Sequence, residues 1–420
     1  MRGLWETTDF GKTVRDYEFT RKAVNRMGSV VYSSDFEDKD SDTIFMFLLR
    51  GMELVSFKDY LKRYLYERAE IDMPFKEVPD KVYQRIIMDS FRDNAAPHSF
   101  EPTTKKWSVI VNRWLSQDSV RRSTVFLLGF GLRMKPEDVS QFLIKVLKEE
   151  DFCLSDPAES IYYYCFANDL RYSAARELLD RYALLESGQG RIPAPEKTSL
   201  FQKLTGRGKD TSPSVTDLSQ IGSEEDLLLY LGKIKENDKL EQKQEIAVRT
   251  CMELAGRVKE IIAGIYQEDE EWNGTGKTWS TEDISYADME KMICSGIPVN
   301  GSGNLQKMSA SLLNSHFRQR RFSRQRMDSL AKRSLPVERF DLITLLFFIY
   351  SQTMESQEPE IRCKAFIDET NAVLKNCGMM ELYPVNPYEA FVLMCLLSEC
   401  PLATYSDIWE LSYSETDEHD

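Results

Sequence analysis

The sequence predicts an all-α protein. Apolar residues recur at spacings of three and four, helix-start signatures recur along the chain, and no stretch alternates with period two long enough to argue for a sheet. Residues 1–42 are polar and read as a flexible N-terminus, with DFEDKDSD at 35–42 a solvated charge run. From Thr43, the residues Phe45, Leu48, Leu49, Met52, Leu54, Phe57, Tyr60, Leu61 and Tyr64 trace an amphipathic helix that breaks near Val55-Ser56. A helix over VYQRIIMDSF follows Pro79-Asp80, and 94–104, with two prolines, reads as a loop. KKWSVIVNRWL and RRSTVFLLGFGL read as helices, the second weakened by Gly129 and Gly131. Pro136-Glu137-Asp138 and Asp156-Pro157-Ala158-Glu159 each open a helix, with proline in the first turn and acids beside the positive end of the helix dipole. SAARELLDRYALL closes this first block.

Residues 186–223, rich in Gly, Ser, Thr and Pro, read as a linker. EEDLLLYLGKIK and QKQEIAVRTCMELAGRVKEIIAGIY are helical by period, whereas 267–284 and 296–304 read as loops. Helix resumes from Leu305, and the apolar run of the chain peaks at 342–350. The resulting division is a helical domain at 43–185, a linker, a helical insertion at 224–304, a second helical domain at 305–413 and an acidic tail at 414–420.

Composition narrows the function classes. Against 68 acids the 420 residues carry 54 Lys and Arg, a formal charge of −14. Such a surface repels phosphate backbones, so any nucleic-acid contact must come from a local basic patch. The eight cysteines form no CxxC pair, and several lie in apolar runs, as Cys165 and Cys395 do. They read as buried thiols in a reducing compartment. The N-terminus has no apolar signal segment, and nine apolar residues cannot span a bilayer, so a cytoplasmic protein with no membrane partner is expected.

The chain contains an internal echo. WSVIVNRWL at 107–115 lies beside FSRQRMDSL at 322–330. Next, SVRRSTVFLLGFGL and PVERFDLITLLFFIY each carry a Val, an Arg two residues later and an apolar run. Further on, DPAESIYYYCF matches NPYEAFVLMCL, with Cys165 and Cys395 both six residues after the glutamate. A duplication interrupted by an insertion explains this order of elements.

The block Ser323–Leu346 resembles the later helices of the phage-repressor-like (Xre-type) helix-turn-helix domain. The recognition-helix equivalent is 323–330 and the turn 331–334. The earlier block, running on into FLLGFGLRMKPEDVSQFL, resembles the same layout. Neither copy has the family's turn glycine, and the helix VIVNRW of the first copy is too apolar to read base edges. The resemblance implies a bacterial, non-enzymatic regulator that touches DNA or RNA through Arg318, Arg320, Arg321, Arg324, Gln325, Arg326, Lys332 and Arg333. Arginine forks suit phosphate oxygens and guanine edges. The alternative is a protein–protein adaptor in which these arginines meet an acidic partner; a homodimer is compatible with either.

Other chemistry has little to build on. Only His98, His316 and His419 are present, and they are scattered, which argues against a metal site or a histidine-based nucleophile. NGTGKT at 273–278 imitates a phosphate-binding loop, but Glu271 stands where its first glycine belongs. No cofactor is expected.

Overall fold

A computed structural model describes residues 40–52, 54–101, 103–154, 156–186, 221–237, 240–273, 277–295, 312–317 and 320–414. The fold is all-α, with no strand among the described residues. Residues 1–39 of the expected flexible N-terminus, most of the linker, the loop at 296–304, the predicted helix start at Leu305 and the acidic tail from 415 lie outside the described residues, while Ser41 and Asp42 already belong to a helix.

The helices, in chain order, are α1 Ser41–Gly51, α2 Phe57–Arg68, α3 Asp80–Asp93, α4 Trp107–Trp114, α5 Arg122–Gly131, α6 Pro136–Gln141, α7 Pro157–Ala167, α8 Tyr172–Glu186, α9 Glu224–Asn237, α10 Leu240–Asn273, α11 Tyr286–Ile293, α12 Leu312–Phe317, α13 Arg324–Ala331, α14 Arg339–Thr353, α15 Pro359–Asn376, α16 Pro387–Leu396 and α17 Pro401–Ser414. A π-helical turn, Phe142–Val146, continues α6.

The chain forms two compact units, one of residues 55–239 and one combining residues up to 54 with 240–420. The sequence reading placed the helix from Thr43 with the first block and 224–304 in a separate insertion. In the structure the apolar face of α1, Ile44, Phe45 and Leu48, packs into the second core, together with Val258 and Ile262 of α10. Helix α9 contributes Leu227, Leu228 and Leu231 to the first core. The break near Val55-Ser56 that periodicity indicates therefore falls between residues of two different cores. Period alone could not say which core each side serves.

In the first unit, α5 is buried along most of its circumference. Its glycines have a packing reason that helix propensity hides. A Cβ on Gly131 would lie 2.0 Å from the Phe91 ring, and one on Gly129 would lie 2.7 Å from the Phe166 ring. Ser90 Oγ and Asn94 Nδ2 of the α3 end donate to the Gly131 carbonyl at 2.8 and 3.0 Å, so α3 and α5 cross at this point. Tyr163, Tyr164, Cys165 and Phe166 of α7 are buried, whereas Tyr162 is half-buried.

In the second unit, α14 and α16 form the centre. Every residue of α16 is buried. A helix so enclosed must satisfy its first amides locally. Asn386 does this by accepting from the amides of Tyr388 and Glu389. Asp156 does the same for Ala158 and Glu159 at the start of α7. The long helix α10 runs to Asn273, where a loop from Gln267 was expected. Trp279 beyond it donates its amide to Gln267 at 3.0 Å, tying the following segment back onto the helix.

Candidate functional site

The basic segment around α13 is the site that the sequence singled out. Ser323 precedes α13 in an extended conformation and makes no side-chain cap bond. Met327 and Leu330 turn inward, and the outward positions carry Arg324, Gln325 and Asp328. Arg318 lies outside the described residues.

Several of the remaining cations are held by carboxylates of the same unit. Arg326 points to the start of α14, where its Nε and Nη2 donate to Asp341 at 2.5 and 2.7 Å. Glu338 stands 3.6 Å away, and the guanidinium lies over the Phe340 ring at 4.6 Å. Burial works against the charge of Arg326, but the two bonds from Asp341 outweigh it, and the pKa is raised. Arg333 makes a bidentate pair with Glu245 of α10, both bonds 2.8 Å. Arg321 stands 3.7 Å from Glu290 of α11. The other oxygen of Glu290 accepts from the backbone amide of Arg324 at 3.3 Å, which puts a carboxylate at the N-terminus of α13. The Arg320 guanidinium also lies over the Phe340 ring, 5.4 Å from its centroid. Arg324, Gln325 and Lys332 are exposed. The structure thus ties Arg326 to a buried carboxylate and Arg333 to a surface one, with Arg321 near a third. The sequence reading could not see this, because Glu245, Glu290 and Asp341 come from three different helices.

The sequence reading missed a second group of residues. Arg122, the first residue of α5, donates through Nε and Nη2 to the two carboxylate oxygens of Glu159 on α7, each bond 2.7 Å. It also donates to the carbonyls of Glu150 and Asp151, each at 2.7 Å, and stands 3.7 Å from the Glu149 carboxylate. Glu159 also accepts the Cys153 amide, at 2.7 Å. In the second unit Arg339, the first residue of α14, donates to Glu389 of α16 at 2.7 and 3.0 Å and to the Glu381 carbonyl at 2.8 Å. Glu389 accepts the Tyr383 amide at 2.5 Å. Cys153 and Tyr383 each stand six residues before their glutamate. Burial opposes the charge of Arg122, yet Glu159 beside it more than compensates and the pKa is raised. The signal was present in the sequence. One Arg and one Glu occupy matched places at the edges of matched apolar runs, and each charge there needs a partner.

Arg362 of α15 is also fully buried. It donates to the carbonyls of Leu396, Met354, Glu355 and Ser398, closing the C-terminal ends of α14 and α16.

Elsewhere the chemistry is sparse. Lys277 of NGTGKT has its Nζ 3.1 Å from the centroid of the Trp279 ring, and 274–276 lie outside the described residues. His98 stacks on Trp107 with centroids 4.3 Å apart, His316 is buried, and His419 lies outside the described residues. Among the described residues no group of three or more His, Cys, Asp or Glu is placed to hold a metal ion. No described helix is long and apolar enough to cross a membrane. No protein-family model, curated protein or solved structure matches this chain.

Proposed function

We propose that the chain is a non-catalytic interaction protein, built from two helical units of common ancestry, whose surfaces engage a protein partner. The observation that carries the reading is the way the chain uses its arginines. Arg326 and Arg333 are forked onto Asp341 and Glu245, and Arg321 stands 3.7 Å from Glu290. A guanidinium already forked onto a carboxylate must give up that pair before it can hold a phosphate. Glu290 also stands at the end of α13 that a reading helix would turn toward the groove, where it repels phosphate.

Common ancestry is supported by the paired Arg–Glu ties, each running from the start of one apolar helix to the first turn of another. A duplicated scaffold whose matched Arg and Glu serve as ties between its helices suits presentation of surfaces.

A regulator that contacts DNA or RNA is the second reading. It is favoured by the exposure of Arg324, Gln325 and Lys332 on and beside α13. The two readings separate on purification of the tagged chain from its own cells with and without nuclease. The interaction reading expects a protein in constant ratio to the chain that survives nuclease treatment. Retention of nucleic acid, with partners lost on nuclease treatment, would overturn it.

A further inference from the structure

The first unit carries, on α4, an open basic face; the matching helix of the second unit, α13, has acids there instead. Residues 103–117 contain Lys105, Lys106 and Arg113 and no Asp or Glu. Val111 and Trp114 turn inward on α4, as Met327 and Leu330 do on α13. The opposite side of α4 presents Lys106, Val109 and Arg113 at helical spacing, all exposed, with Lys105 just ahead of them. Val109 is 51% exposed between these cations. Asp118, the next acid along the chain, is already engaged by Lys58 at 3.0 Å and by Ser56 at 3.0 Å. Arg113 donates to Gln117 at 3.1 Å, and no carboxylate among the described residues pairs with Lys105 or Lys106. On α13 the same face holds Asp328, and Glu290 sits at its N-terminus.

We propose that this face of α4 is a docking surface for an acidic protein segment that carries an apolar residue among its carboxylates. The inference rests on the protein-interaction reading above and names its surface and partner chemistry. Charge complementarity selects an acidic partner, since the face is a positive island on a chain of net charge −14. An apolar residue of such a segment would cover Val109, which stands exposed among the cations. The neighbouring Trp107 ring, which could otherwise stack a base, has His98 parallel to it at 4.3 Å and an interplanar angle of 4°.

The probe is a fluorescein-labelled peptide of repeated Asp-Glu-Leu-Leu, titrated with the full chain and read by anisotropy. Saturable binding is expected, weakening at least about tenfold in the double variant Lys105→Glu, Lys106→Glu and by a smaller factor in Val109→Ala. Arg324→Glu, on the corresponding helix of the other unit, should leave binding unchanged. These side chains are exposed, and an unchanged circular dichroism spectrum and melting curve certify the fold of each variant. Binding unaffected by the Lys105, Lys106 reversal, or absent altogether, overturns the surface. If the reversed variant still retains its protein partner in cells, the surface fails while the interaction reading stands. A single-stranded or duplex oligonucleotide that binds and is lost in the same variant overturns both.

Discussion

At the scale of single residues, the account separates arginines that tie the fold from arginines that only decorate it. Arg122–Glu159 and Arg339–Glu389 are part-buried, bidentate pairs. Removing one partner leaves the other charge desolvated without compensation, a loss of up to about 3 kcal/mol. Arg122→Met and Arg339→Met should each lower the urea midpoint accordingly. Arg326→Ala should also destabilise, because it strands Asp341, whereas Arg324→Ala should change stability by less than about 0.5 kcal/mol. Urea titration of the four variants checks the ranking. The thiols supply an independent test. Burial pushes Cys165, Cys251 and Cys363 up to about 12 and Cys294 up to about 11, against an ordinary value of 9.0. The fold holds these thiols neutral. Their contribution is therefore complete below pH 9 and is lost as pH rises from there toward 12, because the unfolded chain ionises first. Stability measured by urea titration should fall over that window. In the native state a thiol reagent should label exposed Cys400 rapidly and Cys153 more slowly, with Cys165, Cys251, Cys294, Cys363, Cys377 and Cys395 reacting only on unfolding.

At the scale of elements, helix starts were legible and helix contacts were not. The Asp-Pro and Asn-Pro signatures specified α7 and α16 because a cap acts within its own turn. Asp156→Ala and Asn386→Ala should each cost about 1 kcal/mol by chemical denaturation. Helix propensity marks Gly129 and Gly131 as weaknesses of α5, since it describes an isolated helix. In the structure they admit Phe166 and Phe91. Gly131→Ala should destabilise by about 1–3 kcal/mol although alanine is the better helix former, because the new methyl group meets a buried ring. A melting temperature raised by that substitution would disprove the close crossing of α3 and α5. The candidate site was legible only as a cluster of cations. Asp341 lies near Arg326 in sequence, but Glu245 and Glu290 are set by packing, which no local pattern encodes.

At the scale of the whole molecule, the cores and the chain order part company. Each unit has its own apolar core, and the second is completed by α1 from the far end of the sequence. A chain of residues 55–239 alone should therefore keep helical circular dichroism and unfold cooperatively, whereas 240–420 alone should lose stability for want of Ile44, Phe45 and Leu48. The central proposal is that Arg326 and Arg333 serve this chain's own carboxylates and that α13 does not read nucleic acid. Anisotropy of a labelled DNA duplex titrated with the full chain over a range of salt concentrations tests it most directly. The account predicts no saturable binding at physiological salt and no difference between the natural chain and Arg324→Ala, Lys332→Ala. Saturable binding whose logarithm falls with log salt by about 0.9 per phosphate contacted, with that slope flattened in the double variant, would contradict it.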